Sequence, residues 1–384
     1  MASQNLGPVL ATSAGVAAQN FTLPAANQAE IDPLPAGFPV SFDSKLAFTG
    51  SEIVNESEYV LTLTADDITE IKLGLEHFKS LELDGDLVSR KTFPMPVLGT
   101  KLDALSEDLY HGRGFCLVRG AQAGNFSVED LTLVYLGVQS YIADQRACQD
   151  SRGNMLVHIV ADSSTRARRS HHRHSTDPIT FHNEESGDVI GWLTRSTAAS
   201  GGKCIIASAY TVYNILAARR PDIIRTLARA DWPFALPRFQ CRPVVFHHDS
   251  KLIMNFGRAA LLGSVNHPRK PQLPALTPRQ MEALDAIEAV ACATEVEITT
   301  QTGDMHFINN LAVLHRREGF VNGEHSTEKR HLVRMRLRSS ERGWAIPEPL
   351  QREWCDAFER PAADRVWHLE PMPDAFFPLR KYPN

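Results

Sequence analysis

The chain has 384 residues, 43% hydrophobic and 22% charged, with a formal net charge of −5. That composition supports a globular core, excludes disorder along the whole length, and gives no overall attraction to nucleic acid or an acidic membrane. No stretch approaches the roughly 18 apolar residues of a membrane span, no secretion signal opens the chain, and Cys116, Cys148, Cys204, Cys241, Cys292 and Cys355 form no C-x-x-C pair, so a reducing, cytoplasmic setting is expected.

Residues 1 to about 40 are rich in Ala, Gly, Pro, Asn and Gln without periodicity, which predicts an extended or mobile leader before a single domain over 41–384 with its core at about 114–340. A first helix is predicted from Thr64, whose hydroxyl can cap, with Asp67 three residues on and Ile68, Ile71, Leu75 and Phe78 as the apolar stripe. Leu102, Leu105 and Leu109 mark a second helix, running into the apolar strand "GFCLVRG", Gly114 to Gly120. Ser127 and Asp130 repeat the capping pattern ahead of Leu131, Val134 and Leu136. Arg166, Arg168, Arg169 and Arg173 form a basic run that reads as a solvated loop rather than a nucleic-acid surface.

Strands dominate beyond, interrupted by helical pieces near 209–230 and by a helix from Thr277 with Pro278 at its first position. "TEVEITTQ" alternates, "GDMHFINN" follows a turn, and in "RHLVRMRLR" Val333, Met335 and Leu337 take one face while Arg330, Leu332, Arg334, Arg336 and Arg338 take the other. Many short strands in a long chain predict a mainly β fold: a double-sheet barrel or jelly roll with flanking helices. No internal repeat, Gly-rich phosphate loop or G-x-S-x-G elbow is present.

The stretch "PITFHNEESGDVIGW", Pro178 to Trp192, sets His182 and Glu184 two residues apart at the end of an apolar run. On an extended segment, residues i and i+2 point the same way, so both can reach one metal. Non-haem ferrous iron takes two histidines and a carboxylate, with positions left open. The best second histidine is His315 in "INNLAVLHRREGF", 131 residues after Glu184. An H-x-E pair also occurs as a plain polar turn, and other histidines compete: His171, His172 and His174 in the basic loop, His247 and His248 before Asp249, and His306 inside "GDMHFINN". Each of these is expected at the surface or behind the ligands.

From about Gly114 to Arg338 the chain resembles the taurine dioxygenase-like family of Fe(II)- and 2-oxoglutarate-dependent oxygenases, in particular its fungal secondary-metabolism branch. The resemblance rests on "GFCLVRG", "HSTDPITFHNEESGDVI", "SGGKCIIASAYTVYNILAARRPDII", "GDMHFINNLAVLHRREGFV" and "KRHLVRMRLR" in that order. It implies a distorted double-stranded β-helix, cupin-like, with His182, Glu184 and His315 as the iron ligands and catalytic set. It also implies that Arg330, fifteen residues after His315, grips the distal carboxylate of 2-oxoglutarate, and that Arg334 meets an acidic group of the substrate. Two positions depart from the family pattern. Glu184 stands where most members have Asp, which is similar to enzymes that hydroxylate free amino acids. Cys204 in "GGKC" stands where the taurine enzyme has a Thr supporting the cosubstrate carboxylate, so Ser208 or a water takes that part or cosubstrate binding is weaker; Cys204 itself also reads as a buried strand residue.

The resemblance implies a reaction in which O2 and 2-oxoglutarate become succinate and CO2 while an unactivated C–H bond of a small carboxylate-bearing molecule is oxidised. The outcome is hydroxylation, desaturation or ring closure such as aziridine formation. The expected substrate is an amino acid or an amino-acid-derived secondary metabolite, with no nucleic-acid or membrane partner. Two other readings stand beside this one. A 2-oxoglutarate-independent metal oxygenase or isomerase on the same fold is opposed by Arg330, and a non-catalytic binding protein is opposed by the intact His182, Glu184 and His315.

Overall fold

The computed structural model describes residues 34–161, 175–264 and 268–371. The leader up to residue 33 and the basic run with His171, His172 and His174 lie outside the described residues.

The helices start where their caps predict. Thr64 accepts from the Asp67 N–H and the Asp67 carboxylate accepts from the Thr64 N–H, a reciprocal cap that opens α1 (Ala65–Ser80) and is worth ~1 kcal/mol. After α2 (Leu98–His111), the Ser127 hydroxyl caps α3 (Val128–Ile142), which is buried from Leu131 to Ile142 and packs against both earlier helices. The Phe93 ring is wedged so tightly between α1 and α3 that a Cβ on Gly74 or Gly137 would lie 2.7 Å from it. Neither position has room for a side chain. Ser208 caps α4 (Ala209–Arg219), α5 (Pro221–Leu227) follows, and both pack on α6 (Pro278–Thr294), which opens with the expected Thr277 cap and first-position proline. A last helix, α7, spans Glu348–Phe358.

Eleven strands form two main sheets: β1 (Val60–Thr62), β2 (Phe115–Arg119), β3 (Gln145–Ala147), β4 (Val157–Val160), β5 (Ile179–His182), β6 (Val189–Ser196), β7 (Cys204–Ser208), β8 (Val296–Ile298), β9 (Met305–Asn309), β10 (Val313–Arg317) and β11 (His331–Arg338). The larger sheet runs β1-β2-β9-β6-β11, with β3 and β4 side by side along the far edge of β11; the smaller runs β8-β7-β10-β5. Every pairing is antiparallel except β1 with β2. The inner faces meet: Leu117, Trp192 and His306 of one sheet line the same small cavity as Cys204, Ile206 and Ile298 of the other. β11 alternates as predicted, but both faces are buried, with Leu332, Arg334 and Arg336 as enclosed as Val333, Met335 and Leu337. Only Val296–Ile298 of the alternating "TEVEITTQ" forms strand.

The domain also takes in chain that composition assigns to the leader. Residues 34–40 contain no helix or strand, yet the Tyr213 hydroxyl of α4 donates to the Pro39 carbonyl at 2.5 Å, Phe38 stacks on the Tyr213 ring, and His247 bonds the Gly37 carbonyl. Among the described residues no helix is long and apolar enough to cross a membrane.

Candidate active site

His182 and His315 lie directly opposite each other across the β5–β10 ladder, with ring centroids 4.2 Å apart. The Thr180 carbonyl can only accept, so the 2.9 Å contact to His182 Nδ1 makes that nitrogen the donor and leaves the Nε2 lone pair available. Nε2 is 4.0 Å from Glu184 Oε1. One ligand atom from each of His182, Glu184 and His315 falls within 4.8 Å of the others. Burial lowers the pKa of His182, with the Arg334 cation adding to the effect; burial and the neighbouring His182 drive His315 well below the usual range. Both imidazoles are therefore neutral, as metal ligands must be.

The residue between His182 and Glu184 holds the turn in place. Asn183 Oδ1 accepts from the Phe256 N–H at 3.0 Å, while its Nδ2 donates to the carbonyls of Asn310 at 2.7 Å and Val313 at 3.1 Å. Val313 begins the strand that carries His315, so Asn183 ties one ligand segment to the other. Asn310 completes the clamp: its Oδ1 accepts from the Glu184 N–H at 2.8 Å and its Nδ2 donates to the Glu184 carbonyl at 3.1 Å. Each such bond contributes about 0.5–1.5 kcal/mol, and losing one leaves a buried polar group unpaired.

The Glu184 carboxylate meets two arginines of β11. Arg334 Nη1 bonds Oε1 and Arg336 Nη2 donates to Oε2 at 2.7 Å. Arg334 Nε also donates to Gln149 Oε1 at 2.9 Å, and Arg336 reaches Ser186 and Glu185 as well. The expected substrate-binding arginine thus touches the metal-facing oxygen of Glu184. Arg336, marked in the sequence only by its parity with Arg334, supports the other oxygen. Gln149, Asn183 and Asn310 carried no sequence signal beyond being polar residues near apolar runs.

Arg330 lies just before β11. Its guanidinium sits over the Phe320 ring at 5.3 Å and makes no hydrogen bond or ion pair among the described residues. Burial, with the nearby Arg317 cation, pushes its pKa down to about 9. Gly202 allows this placement: its φ is +76° and a Cβ there would lie 3.2 Å from Arg330 Cδ. Arg330 and the buried Cys204 thiol lie close enough to interact electrostatically. Ser208 is placed elsewhere. Four residues along β7, roughly 13 Å from Cys204 on an ideal strand, its hydroxyl donates to the Leu46 carbonyl and accepts from the Thr211 N–H. That hydroxyl is committed to the α4 cap, which corrects the expectation that Ser208 supports the cosubstrate.

The rival histidines separate clearly. His247 Nδ1 bonds the Gly37 carbonyl and packs on Phe38 and Phe42, fastening the N-terminal segment. His248 ends the hairpin strand that carries His247. His306 is inside the molecule, stacked on Trp192.

Two neutral imidazoles and one carboxylate, converging from paired strands and a clamped turn, could hold a metal ion, and as a set they fit mononuclear non-haem iron. The unpaired cation at Arg330 fits a cosubstrate carboxylate. Comparison with known proteins gives the class its family. Residues 81–336 match the family described as taurine catabolism dioxygenase TauD, TfdA family. The chain is 30% identical over 344 residues to the taurine hydroxylase-like protein SAT17 of Stachybotrys chartarum, covering 86% of this chain and 89% of that protein. Its fold is similar to asparagine oxygenase in complex with Fe(II), 2S,3S-3-hydroxyasparagine and succinate (TM-score 0.58, 16% identity, 73% of this chain and 94% of that one). It is also similar to the non-heme iron oxygenase OrfP in complex with Fe and alpha-ketoglutaric acid (TM-score 0.55, 13% identity, 73% and 94%). The chain belongs to the TauD/TfdA family and is an oxidoreductase of the dioxygenase class that uses iron and 2-oxoglutarate.

Proposed function

We propose that this enzyme oxidises an unactivated C–H bond of a carboxylate-bearing amino acid or amino-acid-derived metabolite, by hydroxylation, desaturation or ring closure, on a distorted double-stranded β-helix. The observation that carries this reading is the convergence of His182, Glu184 and His315 within 4.8 Å, with Arg334 bonded to the same carboxylate. Iron with bound 2-oxoglutarate supplies the oxidising chemistry: O2 and the 2-oxo acid are consumed, and succinate and CO2 leave. The protein's own groups bind and orient. His182, Glu184 and His315 hold the metal, and Arg330 pairs with the distal carboxylate of 2-oxoglutarate, a contact that remains ionic at neutral pH even with its pKa near 9. Arg334 receives the substrate carboxylate and holds the adjoining carbons against the metal site. No side-chain acid or base takes part in breaking the C–H bond, so orientation and exclusion of water are what the surrounding residues provide.

The amino-acid assignment draws support from Glu184 in place of Asp and from the hydroxyasparagine in the structurally similar asparagine oxygenase. The test is anaerobic titration of the purified protein with ferrous iron and 2-oxoglutarate, watching for the visible charge-transfer band of a chelated 2-oxo acid, followed by a screen of amino acids for succinate release. A band in wild type that is lost in Glu184→Ala, with release stimulated by one amino acid, is the expected result. Release stimulated only by substrates without a carboxylate overturns the substrate assignment.

A further inference from the structure

We propose that His306 is a cosubstrate-binding residue, donating a hydrogen bond from its ring to the distal carboxylate of 2-oxoglutarate beside Arg330. The proposal rests on the 2-oxoglutarate reading of the site.

His306 sits on β9, opposite Trp192 on one side and Leu117 on the other, with its ring stacked on the Trp192 indole at 4.9 Å and 14°. The residue is 4% exposed, and Nε2 is fully buried with no hydrogen-bond partner among the described residues. A ring packed only for its shape has no use for nitrogens: an unpaired buried donor is costly, and a phenyl ring fills similar space without that cost. Nor is His306 the only unsatisfied group there. Thr194, two residues after Trp192 and on the same face of β6, is 0% exposed and its Oγ1 also lacks a partner among the described residues. Buried polar atoms are nearly always hydrogen-bonded, so two such groups on one face, with His306 near an arginine that has no anion among the described residues, point to a ligand.

The ligand's chemistry follows from the donors. Burial, with the cations of Arg119 and Arg330, lowers the pKa of His306 to about 3, so the ring is neutral and offers one N–H and one lone pair. Arg330 supplies charge and His306 supplies a directional donor. A carboxylate accepts from both. Cys204 lines the same cavity, but burial pushes its pKa up to about 12, and a protonated thiol is only a weak donor. The stronger hydrogen bond therefore falls to the imidazole.

The experiment is anaerobic calorimetric titration of the Fe(II)-loaded protein with 2-oxoglutarate and, separately, 2-oxopentanoate, which has the same carbon chain and no distal carboxylate. Wild type is expected to bind 2-oxoglutarate much more tightly. His306→Leu should weaken 2-oxoglutarate binding by ~10-fold or more, the value of a hydrogen bond to a charged group. Binding of 2-oxopentanoate should stay within about 2-fold, and His306→Gln, whose amide nitrogen can stand in for Nε2, should recover part of the loss. Equal weakening for both acids makes His306 a packing residue and overturns the inference, as does unchanged 2-oxoglutarate binding in His306→Leu. A wild type that binds neither acid, or binds both equally, is a distinct outcome that removes the 2-oxoglutarate reading itself and the inference with it.

Discussion

Arg336 Nη2 holds Glu184 Oε2 at 2.7 Å while the other oxygen, Oε1, is bonded by Arg334 and faces His182 Nε2 at 4.0 Å, so one carboxylate is shared between two arginines and the candidate metal site. Arg336 fixes the carboxylate torsion through the oxygen that does not face His182. Groups that orient a ligand in this way typically account for about 10–100-fold in metal affinity.

Arg336→Met should therefore weaken Fe(II) binding by ~10–100-fold, with the loss read directly by competition with a chelating dye. Methionine matches much of the arginine stem but leaves Glu184 Oε2 unsupported. Unchanged affinity would show that Arg334 and the Asn183 and Asn310 clamp orient the carboxylate without Arg336.

His182→Ala and His315→Ala should each abolish iron-dependent succinate release while the fold persists, because both side chains lie on the paired strands β5 and β10, outside the helical packing around Phe93. Circular dichroism and thermal midpoint report the fold and succinate release reports the chemistry. Retained turnover in either variant would break the ligand assignment.

The features legible in the sequence are those set by neighbouring residues. Thr64, Ser127 and Thr277 announce helix starts because a cap is a contact across three residues. His182 and Glu184 are legible through strand parity, and "RHLVRMRLR" through its alternation. What stayed hidden depends on distant partners. The Asn183–Asn310 bond spans 127 positions, and Arg334 and Arg336 of β11 are buried against Glu184 of the turn after β5 and against Gln149, which no local pattern records. Ser208 shows the converse error: a hydroxyl at the end of a strand suits a ligand or a helix cap equally, and the α4 cap took it.

Arg330→Ala should raise the 2-oxoglutarate requirement by ~10-fold or more, since it leaves a carboxylate without its cation. Gly202→Val should act in the same direction through position alone. Its Cβ would press on Arg330 Cδ from a backbone with φ of +76°, where a β-branched residue is strained. Initial-rate measurements against 2-oxoglutarate concentration read both variants. An unchanged requirement in Arg330→Ala would take the cosubstrate role away from this residue.

Arg334→Ala should reduce product formation from a carboxylate substrate more than it reduces 2-oxoglutarate consumption in the absence of substrate. Arg334 also bonds Glu184 Oε1, so some loss of iron affinity is expected, and the comparison must be made at saturating Fe(II). The ratio of product to succinate is the quantity to follow. Equal losses in the two activities would make Arg334 a support for the metal ligand alone.

Acid should destabilise this protein in part through a histidine pair at the start of β11. His331 Nε2 and His158 Nδ1 are 2.8 Å apart, and His158 Nε2 donates to the His368 carbonyl at 2.6 Å, so each ring is held neutral in one tautomer. Burial lowers His158 to about 4 and His331 to about 3, with the Arg195 cation contributing to both and Glu370 acting in the opposite sense on His158. With folded values below the ordinary 6.5, the unfolded chain binds more protons in between. Stability is thus fully present above pH 6.5 and falls as pH drops toward about 4, by ~3 kcal/mol for a His158-sized shift. Asp188, raised to about 6 by burial despite Arg338, works the other way over the same range, so the net slope reports the difference. Urea midpoints between pH 7 and 4.5 should fall in wild type and fall less steeply in His158→Gln, whose amide can keep one bond without titrating. Parallel profiles for the two proteins would show that the pair does not govern the acid response.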